Sequence, residues 1–341
     1  TRCLSDWSSD VCSSDLSPKS GFGPGQHSQR LHLNPSFDPA RSAAHAVAAS
    51  QQYPTVALYL VATPIGNLAD ISLRCLHVLS LVDGVACEDT RHSQQLFRAL
   101  GLDPSGPRWL ALHQHNERAG ALDVIEGLQR GQRIAYLSDA GTPGISDPGS
   151  RLVQEVQQAG LRVIALPGAS SVTTMLSASG AWRTDRTDFV FQGFLPAKGH
   201  ARTEHLVRML QDPRPQCLLE APHRIHALAR DLLEHPPRGL TVGRELTKQF
   251  EEIARIDTHQ LMAWVDASEH RLKGEYALVL HETSIDALSP TLAGERELRA
   301  LLPHLPLKTA VQLATELSGG SRKALYAQAL QMQQDQRDGG T

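Results

Sequence analysis

From Thr55 onward the chain alternates between two hydrophobic patterns. TVALYLVAT, over 55–63, is an unbroken aliphatic and β-branched run, the pattern of a buried strand. It ends at the Pro/Gly turn TPIGN, after which ISLRCLHVLSLV places Leu73, Leu76, Leu79 and Val82 at helical spacing. GVACED, RIAYLSDA and LRVIALPG are further strands. VIEGLQRG ends a helix, TRHSQQLFRALG is a helix closed by Gly101, SRLVQEVQQAG is one stopped by Gly160, and ASSVTTMLSASG begins the next. Such alternation predicts an open, mostly parallel α/β sheet over residues 55–168. A second α/β segment over 169–285 carries the strands DFVFQGF, QCLLEAP, GLTVGREL and EYALVLH, with longer, more polar links that predict a mixed sheet. ALSPTLAGE reads as a linker. Beyond it, KTAVQLATELSGGSRKALYAQALQM predicts two helices around a Gly-Gly turn with Ser321 as an N-cap, a small helical domain over 286–341.

Residues 1–54 show no sustained period and are rich in Ser, Gly, Pro and Asp at their start, the composition of a disordered tail. The segment RCLSDWSSDVCSSDL also resembles translated sequencing adaptor. The Ala-rich stretch Ala40–Ser50 is the one place in this tail with the propensity for a short helix.

Composition narrows the function classes. In 341 residues, 41% are hydrophobic and 20% charged, which suits a soluble globular protein of two or three domains. No run approaches the ~20 apolar residues of a membrane span, and no signal peptide is read at the N-terminus, so the expected location is the cytoplasm. A net charge of −3 argues against a generally basic nucleic-acid coat but leaves room for a local basic surface. Cys3, Cys12, Cys75, Cys87 and Cys217 form no CxxC pair and no zinc spacing, so they read as reduced thiols and no metal is expected.

The candidate chemistry lies in the loops that follow the strands. Thr63–Asn67, Ser138–Gly149 and Pro167–Ser171 are unusually rich in Gly, Pro and small polar residues. Glycine lets a backbone approach a ligand closely, and ligands of open α/β sheets bind beyond the carboxyl ends of the strands. One such loop reads as an ordinary turn; three on one sheet edge read as a ligand cleft. No GxGxxG follows a strand and no GxxxxGK[ST] occurs, so Rossmann dinucleotide and P-loop readings are weak. Between Pro196 and Arg230 the chain is locally basic, with Lys198, Arg202, Arg208, Arg214, Arg224 and Arg230, which suits either a phosphate-facing surface or a solvated helix face.

These loops carry a specific resemblance. LYLVATPIGNLADISLRCLHVLSLVDGVACEDTRHS, LSDAGTPGISDPGSRLV, LPGASS, QGFLPAKG, EAPHR, RELTK and KGEYALVL occur in the order and spacing of the ribosomal RNA small-subunit methyltransferase I family, within the tetrapyrrole-methylase superfamily. The resemblance spans about residues 55–335. It departs at Ala221, where that family commonly has Ser, and at Gln192, where it often has Glu.

The resemblance implies two α/β domains of tetrapyrrole-methylase type with a small C-terminal helical domain, S-adenosyl-L-methionine in a cleft between the two α/β domains, and a homodimer. It implies 2′-O-methylation of cytidine-1402 of 16S rRNA in the small ribosomal subunit. Cofactor contacts carry over to Pro64, Ile65, Gly66, Asp139, Gly141, Ile145, Ser170 and Ser171. A ribose hydroxyl is a poor nucleophile, so a base or alkoxide-stabilising charge is sought among Glu88, Asp89, Arg91, His92, Glu245 and Lys248 as a group. Glu88–Arg91 equally suits a helix cap with a local ion pair. RNA contacts are expected at Lys198, Arg202, Arg224, Arg322 and Lys323, and His113–Asn116 resembles the family's His-Asn loop. Two rivals stand beside this reading: a corrin or porphyrin methylase of the same superfamily, and a noncatalytic RNA-binding protein with a vestigial cleft.

Overall fold

A computed structural model of the chain describes residues 36–113, 117–183, 185, 187–283 and 294–338. The expectations for residues 1–35 with Cys3 and Cys12, for Gln114–Asn116 and for most of the linker lie outside the described residues. The chain divides into two compact units, with the boundary in the sequence after Ser171.

The first unit is built on five parallel strands, β1 (Ala57–Val61), β2 (Gly84–Cys87), β3 (Arg108–Ala111), β4 (Arg133–Leu137) and β5 (Arg162–Leu166), in the order β3-β2-β4-β1-β5. Both faces are covered, which is why the strands read as unbroken apolar runs. Tyr59 and Val61 of β1 join one core with Leu76 and Phe97, while Leu58 joins the opposite core with Val124 and Leu152. The covering helices are α1 (Asp38–Ala48), α2 (Leu73–Leu79), α3 (Thr90–Ala99), α4 (Glu117–Gln129) and α5 (Gly149–Gln158). Their ends follow local chemistry: Ser72 caps α2 by accepting from the Cys75 N–H, and Gly101 after α3 adopts a φ of 69°.

The sequence reading sets residues up to 54 outside the fold, with Ala40–Ser50 as the one possible helix. The structure places that helix and docks it. Ala44 and Ala48 are buried, Phe37 and Ala40 pack on the same core as Leu76, and the Arg41 guanidinium donates to the Gly101 carbonyl at 2.6 Å. Residues 36–54 therefore belong to the fold, because small alanines let α1 approach α2 closely. β3 is also absent from the sequence reading. It is four residues long and lies on the sheet edge, too short to show a period.

The second unit opens with α6 (Ser171–Ser179), whose first residue closes the preceding unit, and contains a five-stranded mixed sheet. β6 (Val190–Phe194), β7 (Gln216–Glu220), β8 (Gly239–Arg244), β9 (Glu252–Asp257) and β10 (Tyr276–Leu280) run in the order β6-β7-β10-β8-β9. Only β6 and β7 pair in parallel. β9 is a half-exposed edge strand with only weak apolar alternation, which hid it in the sequence. α7 (His200–Gln211), α8 (Ile225–Leu233) and α9 (Leu261–Asp266) contribute Leu206, Leu228 and Leu261 to a core with Leu218, Val242 and Leu278. α10 (Glu295–Leu301), α11 (Leu307–Ser318) and α12 (Arg322–Asp338) share a small core of their own around Leu298, Val311 and Leu325. Ser321 caps α12, where its hydroxyl accepts from the Ala324 N–H at 3.5 Å. No described helix is long and apolar enough to cross a membrane.

Candidate active site

β2, β4, β1 and β5 are neighbours and parallel, so the loops leaving their carboxyl ends emerge along one sheet edge. Three of these loops are stitched together. Thr63 and Gly141 exchange backbone hydrogen bonds at 3.0 and 3.1 Å, which joins the loop after β1 to the loop after β4. The Thr142 hydroxyl donates to the Ala169 carbonyl at 2.9 Å, which joins the latter to the loop after β5. Gly168 is required where β5 leaves the sheet: a Cβ there would lie 2.7 Å from the Ala62 Cβ at the end of β1. The loops that carry the residues assigned to cofactor contact by resemblance are thus joined by main-chain and side-chain hydrogen bonds.

Within that edge their exposures differ. Pro64 and Ile65 are buried, and Ile65 lies under Gly141, whose φ of 81° suits glycine. Gly66 and Ile145 are exposed, Ser170 is 9% exposed, and Ser171 opens α6. The segment around Ile145 is held by Asp147, which accepts from the Gly144 N–H at 2.8 Å, the Gly149 N–H at 2.7 Å and the buried Tyr136 hydroxyl at 3.1 Å. Ser146 adopts a φ of 67°, a left-handed conformation that costs a non-glycine residue energy and is characteristic of functional loops. The sequence reading did not assign Asp147 or Tyr136, although Asp147 stands in the motif SDAGTPGISDPG.

Glu88 and Asp139 follow the paired strands β2 and β4 and so come side by side. Glu88 Oε1 and Asp139 Oδ1 are both buried without a hydrogen-bond partner. Burial, with the negative charges of Asp139 and Asp147 added, pushes Glu88 up to about 7. Burial also raises Asp139, against the pull of His92. Two carboxyl oxygens stripped of partners at a sheet edge are an arrangement that welcomes a cation or a hydrogen-bond donor.

The other members of the sought group are occupied differently. Asp89 is the N-cap of α3, accepting from the Arg91 N–H at 2.8 Å and the His92 N–H at 3.3 Å. Burial works against it, but those N–H groups hold its carboxyl below the usual range. The Arg91 side chain is 89% exposed. Glu245 and Lys248 lie in the second unit, between β8 and β9, where they pair at 2.8 Å. Glu245 also accepts from the Glu275 N–H at 3.0 Å, and both Glu245 and Thr247 have positive φ, at 52° and 66°. This turn is strained and internally tied.

Two RNA-contact assignments are corrected. Arg202 is 6% exposed, bonded to Asp231 at 2.7 Å and 3.7 Å from Glu220. Arg224 lies 3.1 Å from Glu220 and donates to the Leu195 carbonyl. Both guanidiniums are paired with carboxylates inside the second unit, Arg202 almost wholly buried and Arg224 with 19% of its side chain exposed. Lys198, Arg322 and Lys323 are exposed. At the two departures from the resembled family, Gln192 bonds His205 at 2.8 Å and the buried Gln216 at 2.6 Å, and Ala221 is buried, its N–H bonded to Glu220.

Residues 57–261 of this chain match the model of the tetrapyrrole (corrin/porphyrin) methylases. Residues 289–333 match the RsmI C-terminal HTH domain. The chain is 42% identical over 278 residues to ribosomal RNA small subunit methyltransferase I of Escherichia coli O157:H7, covering 81% of this chain and 95% of that one. It is 41% identical over 280 residues to the protein of that name from Pseudomonas aeruginosa, covering 81% and 97%. Among solved structures, diphthine synthase superposes with a TM-score of 0.52 at 14% identity, covering 67% of this chain and 90% of that one, which supports the fold. The chain belongs to the ribosomal RNA small subunit methyltransferase I family.

Proposed function

We propose that this chain transfers a methyl group from S-adenosyl-L-methionine to the ribose 2′-hydroxyl of cytidine-1402 in 16S rRNA of the small ribosomal subunit, acting as a cytoplasmic homodimer. The observation that carries the reading is the convergence of three laced loops with two partnerless carboxyl oxygens on one sheet edge. The residues fit the cofactor. An acidic edge suits a molecule bearing a sulfonium and an ammonium, and Asp139 Oδ1 is a buried acceptor left unpaired that the ammonium or the ribose hydroxyls would satisfy. Pro64, Ile65 and Gly141 supply close-approaching backbone and apolar contact. When bound, the cofactor supplies a methyl group already activated as an electrophile, so the protein's task is alignment and proton removal.

Glu88 is the member of the acidic group suited to accept the hydroxyl proton. Its pKa near 7 matches the working pH of a general base, and Oε1 has no other partner. Asp89 is committed to the α3 cap, and Glu245 to Lys248 and the Glu275 N–H. The match to the RsmI C-terminal HTH domain favours an RNA substrate over a corrin or porphyrin.

The test is methylation of small subunits from cells lacking the gene, with methyl-labelled cofactor, followed by mass spectrometry of nuclease digests. One new ribose methyl at cytidine-1402 is expected. Label on a base, or at another nucleotide, would overturn the assignment.

A further inference from the structure

The corrected arginines have a use. Glu220, the last residue of β7, is 1% exposed and sits between two guanidiniums. Arg202 reaches from the first turn of α7 and Arg224 from the turn before α8. Both arginines also grip the same stretch of main chain. Arg202 Nη1 donates to the Pro196 carbonyl at 3.1 Å. Arg224 Nη2 donates to the Leu195 carbonyl at 2.5 Å and the Pro196 carbonyl at 3.3 Å.

That stretch is a short surface loop. Leu195 is 1% exposed and anchors it in the core, and Pro196–Gly199 then turns outward with Lys198 exposed. Gly199, at φ 79°, returns the chain directly into α7, where its carbonyl accepts from the Arg202 N–H at 3.0 Å. The guanidiniums therefore clamp the loop at its Leu195–Pro196 end, with Glu220 between them and Asp231 also paired to Arg202, while a main-chain bond of α7 closes the Gly199 end. Burying three charges is costly, and replacing such a group by apolar side chains is often neutral or stabilising. A fold that needed only stability here would be served by leucines, but leucines hold no carbonyls.

We propose that Glu220, Arg202 and Arg224 are positioning residues. They fix the Pro196–Gly199 loop so that Lys198 is presented to a phosphate of the RNA substrate, and the arginines themselves never touch RNA. This rests on the RNA-methylating function proposed above. It accounts for a basic stretch in which Arg202 and Arg224 pair with carboxylates while Lys198 stays in solvent.

The experiment uses the full chain and small ribosomal subunits from cells lacking the gene, with affinity measured by filter binding across a salt series. Three variants are compared: Lys198→Ala, Arg224→Lys, and the two combined. Arg224→Lys keeps the charge beside Glu220, but one ammonium cannot face Glu220 and both carbonyls at once, as the guanidinium does with Nε toward Glu220 and Nη2 on the carbonyls. Lys198→Ala is expected to weaken subunit binding severalfold and to lower the slope of log affinity against log salt by about 1. Arg224→Lys is expected to show the same flattened slope, and the combination no further loss. Glu220→Gln should match them if it folds; because it removes the carboxylate beside Arg224 and leaves Arg202 with Asp231 alone, the Arg224→Lys arm carries the test. Cofactor affinity should stay at the parent value throughout. An unchanged salt slope in Lys198→Ala overturns the proposal, as do losses from Lys198→Ala and Arg224→Lys that multiply. The function is read separately from methyl transfer to the same subunits, so the two ideas fail on different measurements.

Discussion

Replacing Glu88 by Gln should make the protein more stable and less active, with both effects growing as pH rises. Glu88 follows β2 with one carboxyl oxygen buried and unpartnered, beside Asp139 and within the field of Asp147. Burial first, and these two charges second, raise it from the ordinary 4.5 to about 7. At ~1.4 kcal/mol per pH unit that corresponds to roughly 3 kcal/mol of penalty for holding the ionised form in the folded state. Glu88 keeps some contact with water, so the realised figure should be nearer 1–2 kcal/mol, about one half of that value. The sign follows from proton linkage. The folded state binds the proton more tightly than the unfolded chain does. The favourable contribution is thus complete below about pH 4.5 and is lost as pH rises through about 7.

Glutamine has the same shape and no charge to lose. At pH 8 the Glu88→Gln variant should melt a few degrees above the parent, since ~1 kcal/mol moves the midpoint by roughly 2–4 °C in a chain of this size. At pH 5 the two should nearly coincide. Thermal melts followed by circular dichroism at both pH values make the comparison. Methyl transfer by the parent should rise with pH through about 7, and that limb should vanish in the variant along with most of the rate. A variant no more stable than the parent at pH 8 would refute the burial argument. A variant that kept the parent's rate and pH profile would remove Glu88 from the chemistry.

Asp139→Ala should weaken S-adenosylmethionine binding about tenfold or more in calorimetry, the size of a lost charge-assisted hydrogen bond, while the melting temperature holds or rises because a raised carboxylate is removed. Equal cofactor affinity would contradict the assignment. Asp89→Ala should cost about 1 kcal/mol in a urea titration through loss of the α3 cap, yet keep the ascending limb of the pH–rate profile; loss of that limb would move the proton-accepting role to Asp89. Arg41→Ala should cost about 1 kcal/mol by releasing α1 from the Gly101 carbonyl, with increased hydrogen exchange confined to α1 and α2; unchanged exchange there would show that alanine packing alone holds the helix.

How much of this was legible in the sequence depends on whether a residue's role is set by its neighbours in the chain or across the fold. Strands buried on both faces, such as β1 and β4, announce themselves as apolar runs, whereas the edge strands β3 and β9 face water along part of their length and leave no period. The glycine-rich strand ends were readable as a ligand edge because backbone proximity needs glycine whatever the surroundings, and Gly168 against Ala62 is that requirement in atoms. Charge is the quantity sequence reads worst. Between Pro196 and Arg230 a basic run looks like a phosphate surface, but whether an arginine faces RNA or a buried glutamate is decided by strand order, and Glu220 reaches Arg202 only because β7 ends beside α7. The same blindness runs the other way at the active site. Glu88 and Asp89 are adjacent in sequence and alike in type, yet one caps a helix and is held acidic while the other is stranded near neutrality. The difference lies in two backbone N–H groups on one side and, on the other, burial together with the parallel pairing of β2 with β4 that brings Asp139 alongside. A chemically useful pKa is therefore a property of the sheet that carries the residue, and it can be assigned to Glu88 only once its burial, and then Asp139 as its neighbour, are known.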